Sequence, residues 1–386
     1  MYFDTIQIIC IMKGFKKMNN TGKKDLEKAP RIAIDARMVN KSGIGTCIQH
    51  WLKDVGYTIA LGDPKELNSY NNIPKHIPFI SSIYGYKEQF KFPYSALYRE
   101  KPDILHVPHC NVPLFYRGKM LVTIHDLTHL VYPEFLPFKL VHYYFKFIFW
   151  FVSKRADKII TVSESTKRDL LRFYKMDESK ITVIPLGVGK EFVKKSPIEI
   201  DYLYDKFNIP RNKKILLYVG NLLPHKNLNK LLEGFSQMHG RENCRLVLVG
   251  KAFDGRSKAT CEKKLGIEEF TIHAGMVSQE DLVNFYNLAD LFVLPSLYEG
   301  FGLPVLESLA CGTPVVCSNT SSLPEVGGKV AKYFDPEDAS SIARALENSI
   351  DDKGKHDDEI AEWVSHFTWE ACAQKIKAQL CALYKE

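Results

Sequence analysis

Residues 295–312 read PSLYEGFGLPVLESLACG and place a glycine-containing loop between a buried strand and a helix. The strand is predicted to end at Leu294, and Pro304 is expected at the first helical position, where no N–H donor is needed. Gly312 then stops the helix, as glycine commonly does just beyond the last turn. The helix N-terminus would present unpaired amides that suit a phosphate group, namely those of Phe301, Gly302 and Leu303.

Two glutamates flank this predicted anion site. Glu299 precedes it in the loop, and Glu307 lies one turn inside the helix. Because a carboxylate repels a diphosphate, the natural partners of both side chains are neutral hydroxyl groups. We interpret Glu307 as an acceptor for the two hydroxyls of a ribose, and Glu299 as an acceptor for hydroxyls of a transferred sugar. The glutamate spacing alone is weak evidence, but together with the glycine loop and the helix signals it indicates a nucleotide-sugar site.

A second polar loop lies in residues 218–227, YVGNLLPHKN, after another predicted strand. Lys226 leads a helix there and can neutralise a diphosphate as a nucleotide departs. A surface lysine beside a helix start is the simpler interpretation of Lys226 taken alone. Its place at the carboxyl end of a strand, in the same predicted domain as Glu299, favours the functional role.

Short β-branched runs alternate with longer helical patterns along the chain, which predicts βαβ units and mostly parallel sheets. The rhythm restarts after Pro210, so we predict two Rossmann-like α/β domains. The carboxyl ends of both sheets would face one cleft, and ligands bind at the carboxyl ends of such sheets. The predicted strands are residues 31–35, 104–107, 120–124, 158–162 and 181–184, then 215–219, 245–249, 270–273, 291–294 and 314–317.

The same rhythm predicts the domain boundaries. The apolar run in residues 6–12 is too short to span a bilayer and follows an acidic Asp4, so we expect no signal peptide and consider Met12 or Met18 as alternative starts. The predicted units are a disordered leader (1–30), an acceptor-binding domain (31–190), a linker (191–212), a nucleotide-sugar-binding domain (213–366) and a closing helix (367–386).

Three residues of the first domain are candidates for the cleft. Gly43 and Gly45 follow the first strand, but the third glycine of a dinucleotide fingerprint is absent and the preceding loop is long. We therefore expect a flexible loop that borders the donor phosphate or the acceptor. His125 follows the strand at 120–124 and could hydrogen-bond a sugar hydroxyl, although a lone histidine is more often a structural residue.

Charge is distributed unevenly. Residues 1–200 contain 31 Lys and Arg against 19 Asp and Glu, a net charge of +12, whereas the remainder carries −5. A basic first half fits an anionic acceptor or an anionic membrane face, and a solvated surface without function is the alternative. Residues 138–152 are rich in aromatic side chains but too interrupted for a transmembrane helix. We expect a buried helix there, with an interfacial helix as the alternative.

The nine cysteines are scattered, without a CxxC pair, which favours reduced thiols in a cytoplasmic protein over a disulfide framework or a zinc site. We expect a cytoplasmic location, with the inner face of the plasma membrane as a peripheral contact. No nucleic-acid partner is expected.

Several motifs together resemble glycosyltransferase family 4, the GT-B group of retaining enzymes that use nucleotide-sugars. The resemblance runs from about Arg31 to the last helix, and the pattern is similar to bacterial mannosyltransferases of polysaccharide and O-antigen synthesis. The motifs are DARM (35–38) with SGIG (42–45), TIHDL (123–127), ITVSESTK (160–167), IPLGV (184–188), GNLLPHKN (220–227), GMV (275–277) and the segment with Glu299 and Glu307.

The resemblance implies a GT-B fold whose last helix crosses back to the first domain. It implies that Lys226 and the amides of residues 301–303 hold the donor diphosphate, and that Glu307 binds the ribose. Glu299 would bind the donor sugar, with His125 near its reacting face and Val277 beside the base. Many members carry an arginine where this chain has Asn221, so His225 or Arg245 would have to substitute, or the clamp is weaker.

We therefore expect a retaining hexosyltransferase that moves mannose from GDP-mannose to a glycan or lipid-linked acceptor. No third carboxylate is a candidate nucleophile, so we expect attack on the same face as the departing diphosphate, without an obligatory metal or other cofactor. Two alternatives remain: a nucleotide-sugar epimerase, and a non-catalytic partner that binds the donor, which Asn221 would permit. A nicotinamide-dependent dehydrogenase is disfavoured by the missing glycine.

Overall fold

A computed structural model describes residues 29–81, 83, 88–250 and 261–386. Residues 1–28 of the predicted leader lie outside the described residues. Within the described part, parallel strands form two sheets connected by helices. The fold is therefore α/β with two Rossmann-like domains, the GT-B arrangement expected from the sequence.

The first sheet has the strand order β3-β2-β1-β4-β5-β6-β7, with all pairs parallel. The order reverses between β1 and β4, which is where ligands bind in such sheets. Its strands are Ile32–Asp35 (β1), Ile59–Gly62 (β2), Lys75–Pro78 (β3), Ile104–Val107 (β4), Lys119–Ile124 (β5), Lys158–Thr161 (β6) and Ile181–Val183 (β7).

The second sheet repeats this plan in the order β10-β9-β8-β11-β12-β13, again all parallel. Its central strands are buried on both faces, as helices on each side of a parallel sheet require. The strands are Lys214–Val219 (β8), Cys244–Val249 (β9), Thr271–Gly275 (β10), Leu291–Leu294 (β11), Val315–Ser318 (β12) and Lys332–Phe334 (β13).

The helices cover both faces of the sheets. Those that accompany the first sheet are Ser42–Asp54 (α1), Pro64–Leu67 (α2), Glu88–Lys91 (α3), Tyr94–Glu100 (α4), Thr128–Val131 (α5), Lys139–Arg155 (α6) and Glu164–Phe173 (α7). Later helices are Pro197–Ile200 (α8), Tyr202–Lys206 (α9), Leu228–Gln237 (α10), Gln279–Leu288 (α11), Leu303–Ala310 (α12), Leu323–Gly327 (α13), Ala339–Glu347 (α14), Asp357–Ser365 (α15) and Trp369–Lys385 (α16).

The predicted strands differ from the observed ones by at most two residues at their ends. Three strands were missed: β2, β3 and β13. β3 is an edge strand that reads Lys-His-Ile-Pro, so its apolar signal is a single buried isoleucine. β13 has three residues and also lies at an edge. The predicted linker at 191–212 contains α8 and α9, because Ser196 and Glu199 form a capping box that starts α8.

The last helix crosses back to the first domain, as expected. The Trp369 ring stacks on His50 of α1 with ring centroids 4.4 Å apart, and Lys119 Nζ donates to Leu383 O at 2.9 Å. The chain thus passes between the domains twice, and the two crossings are joined by a bridge between Val188 and Thr368.

Candidate active site

The carboxyl edge of the second sheet brings the two predicted donor loops together. The loop after β8 carries Lys226, and the loop after β11 carries Glu299. Lys226 Nζ lies 2.6 Å from Glu299 Oε1, and both side chains are mostly buried. Residues 73 positions apart in sequence therefore form one charged pair at the edge where ligands bind in this fold.

Glu299 is held from several directions. Its Oε1 atom accepts hydrogen bonds from Lys226 Nζ and from Ser296 Oγ, the latter at 2.7 Å. Its backbone N–H donates to Ser321 Oγ at 3.0 Å, and Ser322 Oγ donates to its carbonyl at 2.9 Å. The carboxylate is thereby positioned, and its Oε2 atom can accept from a hydroxyl group. The serines that hold it were not among the residues predicted from the sequence.

Helix α12 begins directly after this loop. Gly302 is its N-cap and has a φ of 105°, a left-handed conformation that glycine adopts without strain. Pro304 is the second helical residue rather than the first, a shift of one position that still leaves no lost helical hydrogen bond. Gly312 has a φ of 74° just beyond the helix end, so the predicted glycine stop is confirmed.

The N-terminus of α12 has the open amides predicted from the sequence. In the described part of the chain, the backbone N–H groups of Phe301, Gly302 and Leu303 make no hydrogen bond. The Phe301 ring is buried against Phe367, and its carbonyl oxygen lies 2.8 Å from Ser322 Oγ, whose one proton it shares with the Glu299 carbonyl. The loop is thus fixed while its donors stay available, and the helix dipole adds partial positive charge there.

Glu307 lies farther along α12 and is half-buried. Burial raises the pKa of its carboxyl group to about 7, although the hydrogen bond that Tyr286 donates to Oε2 at 2.8 Å opposes this shift. The group therefore changes protonation state near neutral pH. The tyrosine that orients it comes from α11 and was not identified from the sequence.

The Lys226 loop is tied to the Glu299 loop by its neighbours. Leu297 N donates to His225 O at 2.8 Å, and Asn227 Nδ2 donates to Pro295 O at 3.1 Å and to Pro336 O at 2.8 Å. Asn227 has a φ of 56°, which asparagine tolerates better than most residues. These bonds fix the distance between the lysine and the glutamate.

His125 lies at the facing edge of the first sheet, directly after β5. Its Nε2 atom is 3.1 Å from Pro108 O. Because a carbonyl can only accept, Nε2 carries the proton and Nδ1 is an acceptor. Burial lowers the pKa of His125 to about 4, so the ring is neutral at physiological pH.

Contacts between the domains bring His125 beside the donor loop. A Cβ atom added at Gly300 would overlap with His125 O, so a glycine is needed for the loop to approach. Thr166 Oγ1 lies 3.3 Å from His125 O and 3.4 Å from Gly300 O. Tyr298 OH donates to Asp169 Oδ2 at 2.8 Å.

A glutamate of the second domain caps a helix of the first. The two carboxylate oxygens of Glu325 accept from the backbone N–H groups of Glu164 and Ser165, both at 2.7 Å. These amides belong to the first turn of α7, where a negative charge is favourable. The sequence offered no signal for this contact, since 161 positions separate Glu325 from Glu164.

Gly43 and Gly45 do not lie in a flexible loop, so that prediction was wrong. Both belong to the first turn of α1. A Cβ atom at Gly45 would lie 2.6 Å from Met38 O, because the helix starts tightly against the preceding turn. Gly43 faces the other domain, where a Cβ atom would lie 3.9 Å from Leu303 Cδ1. The structure thus brings Gly43 to the first residue of α12 and gives Gly45 a packing role.

Asn221 is exposed in the loop after β8, two residues beyond the strand end. Of the cations considered as its substitute, Arg245 is excluded by position. Arg245 lies at the amino end of β9, the opposite edge of the sheet, where its Nη1 atom donates to Cys244 O at 2.7 Å. His225 adjoins Lys226, but burial and the neighbouring Lys226 lower its pKa. Val277 follows β10 at the same edge as Lys226 and is half-buried.

The first domain holds a buried ionic cluster at the ends of β1 and β4. Arg37 Nη2 lies 2.6 Å from Asp35 Oδ2 and 2.6 Å from Glu88 Oε1, and His109 Nε2 lies 3.3 Å from Asp35. Burial opposes ionisation of Asp35, but the Arg37 guanidinium and His109 hold its pKa well below the usual range. Asp35 and Arg37 belong to the DARM motif, to which no site role was assigned from the sequence.

A further cavity lies elsewhere in the described residues. It has a volume of about 500 Å³ and lies between the Val188–Lys194 segment and α15, at the far end of α12 from the open amides. Its walls include Phe192, Leu309 and Val364. The cavity therefore touches α12 without including Lys226 or Glu299.

Two Rossmann-like domains with these loops at facing edges define the GT-B class of glycosyltransferases. The profile described as "Glycosyl transferases group 1" matches residues 201–363, and that described as "Glycosyltransferase Family 4" matches residues 57–192. The O-antigen chain mannosyltransferase B of Escherichia coli is 31% identical over 283 residues, which cover 72% of this chain and 74% of that protein. The chain belongs to the group 1 glycosyltransferases, family 4, and is a hexosyltransferase.

Other relatives extend the likeness. The serotype-specific mannosyltransferase WbdA of Escherichia coli is 26% identical over 369 residues, covering 90% of this chain but 41% of that longer protein. Among solved structures, Anabaena HepE in complex with UDP and glucose superposes with a TM-score of 0.73 at 18% identity, over 91% of this chain and 99% of that one. At this identity the structural likeness supports the fold alone.

Proposed function

We propose that this enzyme transfers mannose from GDP-mannose, with retention of anomeric configuration, to a glycan or lipid-linked acceptor. The observation that carries the proposal is the Lys226–Glu299 pair beside the open amides of α12. A diphosphate needs positive charge and N–H donors, and a hexose needs carboxylate acceptors, and this edge of the sheet supplies both. Mannose is favoured because relatives that include mannosyltransferase B and WbdA are named for it.

In the proposed donor complex, Lys226 and the amides of residues 301–303 bind the diphosphate. Glu307 accepts from the ribose hydroxyls, Val277 contacts the base, and Glu299 accepts from hydroxyls of the hexose. His125, neutral and with Nδ1 as acceptor, receives a hydrogen bond from a hydroxyl on the reacting face of the sugar. Asn221 adds no charge, so diphosphate binding depends more heavily on Lys226.

The proposed reaction is attack on the face from which the leaving group departs. The bond between the anomeric carbon and the diphosphate oxygen breaks, and the acceptor oxygen forms the new bond on the same face. The acceptor proton passes to the departing diphosphate, while Lys226 and the helix amides stabilise its negative charge. Glu299 is engaged by Lys226 and Ser296, which favours a binding role over a nucleophilic one.

We also propose that no metal ion is obligatory, since lysine and helix amides can neutralise the diphosphate. Turnover should then survive a strong chelator, and its loss would refute this part.

For the acceptor side, we propose that the basic first domain also makes peripheral contact with an anionic membrane. No described helix is both long and apolar enough to cross a bilayer.

Donor specificity can be tested by thermal shift with GDP-, UDP- and dTDP-sugars, followed by NMR of the product's anomeric proton. Stabilisation by GDP-mannose and an α-configured product from the α-configured donor are the expected results. A larger shift with a UDP-sugar would replace the proposed donor, and no shift with any of them would refute the donor site. Binding of GDP-mannose without transfer or hydrolysis would favour a non-catalytic partner.

A further inference from the structure

One face of α6 is apolar and exposed. Leu140 is 78% exposed, Tyr143 63%, Phe147 46% and Trp150 48%. They recur at intervals of three and four residues, which places them on a single face of the helix. We call these four residues, three of which are aromatic, the aromatic face. Phe138, at the N-cap of α6, extends it and is 72% exposed.

The opposite face of α6 is buried in the first domain. Phe145, Phe149 and Val152 are at most 3% exposed and belong to the core on that side of the sheet, and Ile148 is fully buried. A surface helix normally turns polar residues outward, so apolar residues on both faces require an explanation. Because the inner face is firmly packed, the aromatic face is a fixed surface of the protein.

Positive charge borders the aromatic face. Lys139, Lys146 and Lys154 are exposed, and residues 135–156 contain no acidic side chain. The end of α7 adjoins this border, since Tyr174 OH donates to Lys146 O at 3.0 Å, and it adds the exposed Arg172 and Lys175. Aromatic side chains among lysines are typical of a helix that lies in the interface of an anionic bilayer.

The aromatic face lies close to the candidate active site. His129 of α5 stacks on Phe145 of α6 with ring centroids 3.8 Å apart, and its carbonyl is 3.1 Å from His142 Nδ1. Helix α5 follows His125 by a few residues at the carboxyl edge of the first sheet. A surface that binds α6 would therefore lie next to the acceptor side of the cleft.

We propose that the aromatic face docks α6 in the interface of an anionic phospholipid bilayer, with the helix parallel to the membrane plane. This rests on the proposed membrane contact and names the residues that make it. A second copy of the chain fits less well, because a symmetric contact would bring two sets of lysines together without carboxylates to pair with them. A bilayer supplies apolar depth for the rings and phosphates for the lysines.

Trp150 allows a direct test in the full-length protein. Of the other tryptophans, Trp51 is fully buried, Trp369 is 3% exposed, and the half-buried Trp363 donates its ring N–H to Val326 O. Vesicles of phosphatidylglycerol and phosphatidylcholine should shift the emission to the blue, and brominated acyl chains should quench it. In a Trp150→Phe variant, vesicle co-sedimentation should persist while the emission change disappears.

Co-sedimentation of designed variants completes the test. Changing the four aromatic-face residues to serine should lower partitioning onto anionic vesicles about tenfold or more, and Lys139→Glu with Lys146→Glu should do the same. The matched control is Phe90→Ser with Phe115→Ser, two other exposed aromatics of the first domain, which should bind within twofold of the original protein. Binding of the original protein should weaken as salt is raised and be small on pure phosphatidylcholine.

Donor-induced thermal shifts show whether each variant is folded and keep this test separate from the donor site. A variant that loses vesicle binding but keeps its donor shift supports the proposal. The proposal is overturned if the original protein ignores anionic vesicles, if the serine variant binds them equally well, or if Trp150 is not quenched. It is also overturned if the serine substitutions convert a dimer to a monomer without changing vesicle binding.

Discussion

The carboxyl edges of the two sheets carry charge in different ways. In the second domain, Lys226 and Glu299 come from short loops and stay partly accessible, beside amides that have no acceptor in the described residues. In the first domain, Asp35, Arg37 and Glu88 are buried and pair with one another. Similar topology therefore serves two ends: the accessible edge is suited to a charged ligand, and the buried cluster holds strand ends in place.

The largest expected effect on stability comes from a substitution that breaks the buried cluster. Arg37→Met would leave two buried carboxylates without their cation, which costs about 3–5 kcal/mol of stability. The urea midpoint of unfolding should fall accordingly. Arg211→Met is the matched control, because its partners Asp201 and Asp205 are on the surface, and its midpoint should not change measurably. An unchanged midpoint for Arg37→Met would contradict a structural role for the cluster.

Removal of the accessible cation should affect turnover instead. Lys226→Ala should reduce kcat/KM about 100-fold, because an oriented charge on the leaving diphosphate is lost, with little change in unfolding. Lys230→Ala is the control: Lys230 lies on the following helix and pairs with Glu233 at 2.7 Å. Turnover of Lys226→Ala within threefold of the original protein would rule out the assigned role.

The pH dependence of donor affinity should distinguish the two sheet edges further, because Glu307 lies in the second domain and titrates near neutral pH. Burial raises the pKa of Glu307 to about 7, so in the free protein its carboxyl group is mainly protonated below that pH. The stability that this raised pKa contributes is present at low pH and is lost as the pH rises through about 7. Ribose hydroxyls need the ionised form, so donor affinity should rise about tenfold from pH 6 to pH 8. Calorimetric titration at several pH values measures this. Glu307→Gln should show a flat profile, and a pH dependence identical to that of the unmodified protein would contradict the assignment.

The smallest expected effect is on donor affinity and comes from a substitution at the carboxyl edge of the second sheet. Asn221→Arg would add a cation to the loop after β8, and we expect donor affinity to increase by roughly threefold to tenfold. The matched control is Asn221→Gln, which is longer but neutral and should leave affinity unchanged. The measurement is the dissociation constant for the nucleoside diphosphate at two salt concentrations. Equal affinity for the arginine and glutamine variants would show that this position does not face the diphosphate.

The donor segment and the repeated strands were readable from the sequence because their signals are local. Glycine, proline and apolar runs act over a few residues, so 295–312 predicted its own strand end, helix start and helix stop to within one position. The loop assigned to Gly43 and Gly45 was wrong because a helix that starts tightly against a turn has no distinct local signal. The short edge strands β3 and β13 were missed because little of each is buried.

By itself, the sequence determined the two-domain α/β plan, the donor segment and the residue types available for a diphosphate and a sugar. Tertiary structure decided which distant residues meet. It pairs Lys226 with Glu299, sets Tyr286 on Glu307, packs Gly300 on His125 and excludes Arg245 from the site. It also turns four apolar residues of α6 outward. Such contacts depend on sheet order and domain approach, which bring together residues far apart in the chain and leave no local pattern.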